Sequence, residues 1–124
     1  MTTLEIVRAL LSASSPLTAL VAARIYPGVV PQGAPFPAVV LRVVDEVPEN
    51  SLTPSVSERL MRARLQVDCY APTYRAAREL FDEVDVVLGA LASNSNTSEL
   101  LMVRDLYDDE SQMHRVTADF EVSR

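Results

Sequence analysis

Met61-Arg62-Ala63-Arg64-Leu65-Gln66-Val67-Asp68-Cys69-Tyr70 alternates apolar and polar side chains along its whole length. Met61, Ala63, Leu65, Val67 and Cys69 point one way; Arg62, Arg64, Gln66, Asp68 and Tyr70 point the other. Side chains alternate across a strand with period two, so this spacing predicts a strand with one face on a core and one face polar. Ala71-Pro72-Thr73-Tyr74 follows at once and leads into the longest helix. Thr73 is its N-cap, and Ala77, Leu80, Phe81, Val84, Leu88 and Leu91 form an apolar stripe at helical spacing. Arg75, Arg78, Glu79, Asp82 and Glu83 lie mainly outside that stripe. Gly89 costs helix propensity, and Ser93-Asn94-Ser95-Asn96 competes for backbone hydrogen bonds, which predicts the stop there.

Toward the N-terminus, Ala38–Val47 reads as the partner strand. Val39, Leu41, Val43 and Val47 share one face, Arg42 and Glu46 interrupt the other, and Asp45 is an exception near the strand end. Residues 48–58 are polar and join the two strands by a loop far longer than a tight hairpin turn. The segment Ile25–Pro37 contains Pro27, Gly28, Pro31, Gly33, Pro35 and Pro37. So many prolines exclude regular helix and most central strand, which predicts an extended connector. Before it, Thr2 and Glu5 fit a capping box on a helix over residues 3–12, with Leu4, Val7, Leu10 and Leu11 at helical spacing. Ser15-Pro16 restarts helix, with Ser15 as N-cap and Pro16 at the first helical position, and an end near Ala23 or Arg24.

Downstream, Leu100–Tyr107 reads as a strand with apolar residues on both faces, Leu101, Val103 and Tyr107 against Met102 and Leu106. His114, Val116, Ala118, Phe120 and Val122 alternate with Arg115, Thr117, Asp119 and Glu121, and Asp108-Asp109-Glu110-Ser111 supplies the turn between these strands. The order is helix–helix–strand–strand–helix–strand–strand. Burying the apolar sides of both kinds of element predicts an α+β domain, with a mostly antiparallel four-stranded sheet and the helices packed on one face.

The 124 residues make one domain, residues 1–124, whose 48% hydrophobic and 23% charged content is that of a globular chain. No apolar run approaches the ~20 residues that span a bilayer, so no membrane partner is expected. Met-Thr-Thr-Leu-Glu lacks the basic and apolar regions of a secretory leader, so synthesis in the cytosol is expected. The formal net charge is −6, and every basic side chain is arginine. Such a domain does not grip duplex DNA through its overall field, although a passage lined by it would repel DNA weakly rather than hold it. Exclusive arginine reflects either coding bias or protein–protein contact through its planar fork.

Chemistry finds little to work with. A Cys–His pair would need Cys69 and His114, and Cys69 points at the core while His114 opens the last strand. No spacing resembles a zinc or calcium site; Asp108-Asp109-Glu110 reads as a solvated turn. Gly28, Gly33 and Gly89 form no phosphate-cradling loop, and Glu79, Asp82, Glu83 and Asp85 lie on the wet side of a helix. No enzyme activity, cofactor or metal is therefore expected. The polar strand faces leave two readings open. Arg62 and Arg64 pair with Asp119 or Glu121 within one sheet, or they meet acidic residues of a neighbouring chain.

Two ordered segments resemble the small tail-completion proteins of long-tailed bacteriophages. The first runs Leu17-Thr18-Ala19-Leu20-Val21-Ala22-Ala23-Arg24-Ile25-Tyr26-Pro27, then Val30-Pro31-Gln32-Gly33-Ala34-Pro35-Phe36-Pro37-Ala38-Val39-Val40. The second is Arg64-Leu65-Gln66-Val67-Asp68-Cys69-Tyr70-Ala71-Pro72-Thr73-Tyr74-Arg75-Ala76-Ala77. The likeness covers roughly residues 4–92; Phe36-Pro37-Ala38 departs from it, because the family often has an aromatic after that proline. The resemblance implies a structural virion protein of the tail or neck, assembled in the bacterial cytoplasm. It implies a ring, usually hexameric, that terminates the tail tube at its head-proximal end and joins it to the head connector. The implied partners are further copies of the chain, the major tail tube protein and the connector or stopper protein, with double-stranded DNA passing through without specific binding. A head-completion or stopper subunit is the nearest alternative, and a small ligand-binding regulatory module the alternative of another class. The candidate interface residues are Arg62, Arg64, Arg115, Asp119 and Glu121 on the strands, with Asn50 and Leu52 in the long loop.

Overall fold

The computed structural model describes residues 2–48, 61–90 and 97–123. Asn50, Leu52 and Leu91, together with the expected stop at Ser93-Asn94-Ser95-Asn96, lie outside the described residues. Helix α1 spans Thr3–Ser12, and the Thr2 hydroxyl accepts from the Glu5 amide at 3.2 Å while donating to the Glu5 carboxylate at 3.1 Å. Helix α2 spans Ser15–Val21 and starts one residue earlier than expected. Ser14, in extended geometry, is the cap and accepts from the Leu17 amide at 3.4 Å, so Ser15 is already helical. The helix stops at Val21 because Ala22 takes a positive φ of 53°. Between α1 and α2 the chain turns by 89°.

Four strands were expected and the sheet has five, in the order β1-β2-β3-β5-β4. Strand β1 is Ile25–Pro27, β2 Ala38–Pro48, β3 Met61–Ala71, β4 Thr97–Asp108 and β5 Met113–Ser123. The addition is β1, which pairs parallel to β2 with Ile25 opposite Val39 and Pro27 opposite Leu41. Proline forbids a central strand but not an edge one. Pro27 closes the edge strand, and the next amide, that of Gly28 at φ 82°, donates to the Leu41 carbonyl at 2.9 Å. The remaining neighbours are antiparallel, so the sheet is mixed rather than purely antiparallel. The connector is held by arginine forks: Arg8 donates to the Ile25 carbonyl at 3.0 Å, Arg24 to that of Pro37 and Arg42 to that of Gly28, each at 2.8 Å.

A bulge in β2 between Val43 and Asp45 resolves the Asp45 exception. Asp45 lies opposite Arg64, so the extra residue moves it from the apolar to the polar face. Helix α3, Tyr74–Gly89, is capped by the Thr73 hydroxyl, which accepts from the Ala76 amide at 3.1 Å. The helices cover one face of the sheet. Val7, Leu11, Leu17, Val21, Leu80, Val84 and Leu88 pack there against Val39, Leu41, Leu65, Val67, Val116, Ala118 and Phe120. Burying these side chains, at about 1.5–3 kcal/mol each, is the main force holding helices to sheet.

Candidate subunit interface

The opposite face of the sheet carries the charged side chains. The register of β3 on β5 sets Arg64 opposite Glu121, Gln66 opposite Asp119, Asp68 opposite Thr117 and Tyr70 opposite Arg115. Arg64 bridges to Asp119 at 3.1 Å and Arg62 to Glu121 at 3.3 Å. Arg62, Arg64, Arg115, Asp119 and Glu121 thus share one band across two central strands, and the cross-strand pairing forms within the subunit. The Arg62–Glu121 pair is open and contributes about 0–1 kcal/mol to stability, whereas the Asp119 carboxylate of the other pair is buried. The Arg62 and Arg64 side chains remain about half exposed, so the band also presents guanidinium groups outward.

Alternation puts Asp68 on the correct face but gives no sign of its burial. It stands on the polar face yet is fully buried. Arg42 approaches one carboxylate oxygen at 3.3 Å, Arg115 the other at 3.7 Å, and the Gln66 amide donates at 3.3 Å. Arg115 also donates to the Thr117 hydroxyl at 3.0 Å and lies over the Tyr70 ring. Tyr70 packs on Phe36 of the connector, ring centroids 5.9 Å apart. Burial, followed by the neighbouring Asp68 charge, pushes the Tyr70 hydroxyl above its ordinary pKa. Period-two spacing carries no sign of this, because the connector that folds over the strand lies far away in sequence. Beside it opens a cleft of about 620 Å³ between the connector, Arg42, Tyr70, Arg115 and the β4–β5 turn. A smaller groove of about 270 Å³ crosses the far end of the same face, lined by Asp45, Val47, Arg62, Arg64, Leu101 and Glu121.

Strand β4 supplies what the sequence reading did not single out. Leu100, Leu101, Met102, Leu106 and Tyr107 are all exposed on it, and β4 is the last strand of the sheet. A strand apolar on both faces ordinarily belongs between two layers of protein. Large apolar side chains exposed along an edge strand, here on both of its faces, favour a protein–protein contact.

The remaining candidates for chemistry are accounted for by packing. Cys69 is fully buried, and burial followed by the Asp68 charge pushes its thiol far above the ordinary value, away from the thiolate that a nucleophile requires. His114 sits edge-on to the rings of Tyr74 and Tyr107, at 6.4 and 5.1 Å between centroids. Among the described residues no group of three His, Cys, Asp or Glu side chains gathers to hold a metal ion.

The fold and this face can be set beside known proteins. No curated protein matches the chain. Among solved structures, a chain from the virion of a native gene transfer agent particle superposes with a TM-score of 0.68 at 15% identity. That match covers 98% of this chain and 92% of the other, and at such low identity it speaks for a common fold. The family model described as tail completion protein gp17 matches residues 5–123, nearly the whole length. The chain therefore belongs to the tail completion protein gp17 family, and its place is as a structural protein of the phage virion tail.

Proposed function

We propose that copies of this chain assemble into a ring, with six members, on the head-proximal end of the tail tube. The ring stops tube growth and offers the head connector or stopper protein its seat at the neck. The observation that carries this reading is the family match over residues 5–123, since completing a tail means ending one polymer and starting a junction. The structure supports it in two ways. A ring needs heterologous contacts, in which one surface of a subunit meets a different surface of the next, and the sheet has two dissimilar open edges. The charge of −6 per chain, multiplied around a ring, suits a passage through which DNA slides without adhering. Nothing in this role needs a catalytic group, a cofactor or a membrane.

The test is imaging of purified protein mixed with tail tubes that lack it. Ring-shaped density at one end of each tube, and nowhere along its length, is the expected result. Protein that ignores tube ends, or that coats the tube wall, would contradict the proposal.

A further inference from the structure

Both edges of the sheet end, among the described residues, in unpaired backbone. Among the described residues, nothing pairs with β4 on the side away from β5. At the other edge β1 covers only Val39–Leu41, and among the described residues no strand pairs with the outer side of β2 from Arg42 to Pro48. Long open edges are ordinarily blunted by charge, by proline or by shortening. Here β4 runs for 12 residues and exposes five large apolar side chains. On β2, Val44 and Val47 are each more than half exposed.

Strand direction decides how copies can join. Within the sheet β2 and β5 run one way, β3 and β4 the other. A second copy turned about an axis along the strands keeps these directions, so its β2 meets β4 of the first copy antiparallel. Side chains then select a register. Met102 lies opposite Asp119 in the β4–β5 pairing, which puts it, with Arg104 two residues on, on the polar face. Beyond the bulge, Asp45 and Val47 occupy that same face of β2, opposite Arg64 and Arg62. Arg104 and Asp45 are both exposed, and among the described residues neither makes an ion pair in its own subunit.

We propose that β4 of one copy adds antiparallel to the open half of β2 in the next, with Arg104 opposite Asp45 and Met102 opposite Val47. This rests on the ring reading above and names the surface through which the ring closes. One register then satisfies the backbone of both edges, joins an opposite-charge pair and covers an apolar pair. Because the two edges differ, the contact repeats head to tail, as a closed ring requires.

The direct test is the double variant Val47→Cys with Met102→Cys in the full chain, oxidised over a range of concentrations. Within one subunit β3 and β5 separate these positions by about 14 Å, at the usual strand spacing. A disulfide needs its Cα atoms within about 7 Å, so any bond formed joins two copies. Cys69 is buried and does not compete. The expected result is a ladder of covalent multimers on non-reducing gels from the double variant and none from either single variant. A ladder whose products image as rings supports edge pairing and ring alike. A ladder of open chains supports the pairing and tells against the ring. Rings of wild-type protein without any ladder from the variant overturn the pairing and leave the ring reading standing. No multimers and no ladder at any concentration overturn the pairing as well. Charge reversal provides a second readout: Arg104→Glu lowers ladder yield about five-fold and Asp45→Arg restores it, consistent with a cross-strand pair of ordinary strength.

Discussion

A buried carboxylate with two guanidinium partners is the strongest commitment any single residue makes in this molecule. Asp68 is held by Arg42 and Arg115 from neighbouring strands on either side, so each partner backs up the other. Replacing either arginine by methionine is expected to cost about 1–2 kcal/mol, since the remaining fork still satisfies the acid. Replacing both strands a buried charge, and the loss should exceed the sum of the single effects, reaching about 3–5 kcal/mol. Urea unfolding of the four proteins of this cycle measures it; additive losses would show that the two forks act independently. Arginine also recurs where lysine would not serve. Arg24 spreads one planar guanidinium over the Pro37 and Leu20 carbonyls, and Arg42 over the Gly28 carbonyl and Asp68, a geometry that a point-charge ammonium does not reproduce.

Helices and strands follow local rules that their own residues state openly. Thr2 and Thr73 are caps because each precedes an apolar helical stripe and each accepts an amide hydrogen bond three residues on. Ser15 was expected to cap α2, but the backbone turn gives that place to Ser14, a residue equally able to cap. Ser14→Ala is therefore expected to cost about 1 kcal/mol, while Ser15→Ala stays within about 0.5 kcal/mol of wild type. Thermal unfolding of the two variants distinguishes them, and the opposite ranking would refute the assignment. Strand β1 escaped the sequence reading for a different reason. Three residues ending in Pro27 carry no alternation to detect, and the proline rule excludes central strands but leaves edges open. The bulge in β2 was equally silent, although Asp45 among valines was its trace.

For the whole molecule, the α+β class and the two hairpins were legible from alternation and turn chemistry. The placement of β5 between β3 and β4 was not, because strand order in a sheet depends on contacts distant in sequence. The same limit applies to the candidate surface. Arg62 and Arg64 were readable as partners of Asp119 and Glu121, but the exposure of β4 follows from its position at the edge, which no window of its own residues reveals. The molecule that results has a closed core on its helical side and, among the described residues, two open and unlike sheet edges. Under the proposed ring reading those edges have a purpose: a subunit that ends a polymer would bind both its own kind and the last layer of the tube. A cap of the proposed kind would differ from an inhibitor that merely sequesters tube subunits, since one ring would suffice for each tube.

That difference is measurable as tube elongation in the presence of increasing amounts of the protein. Capping predicts that growth stops when the protein reaches about one ring per tube end, far below the amount of tube subunit present. Growth that continues past that ratio, or that slows only in proportion to tube subunit bound, would contradict a role in terminating the tail.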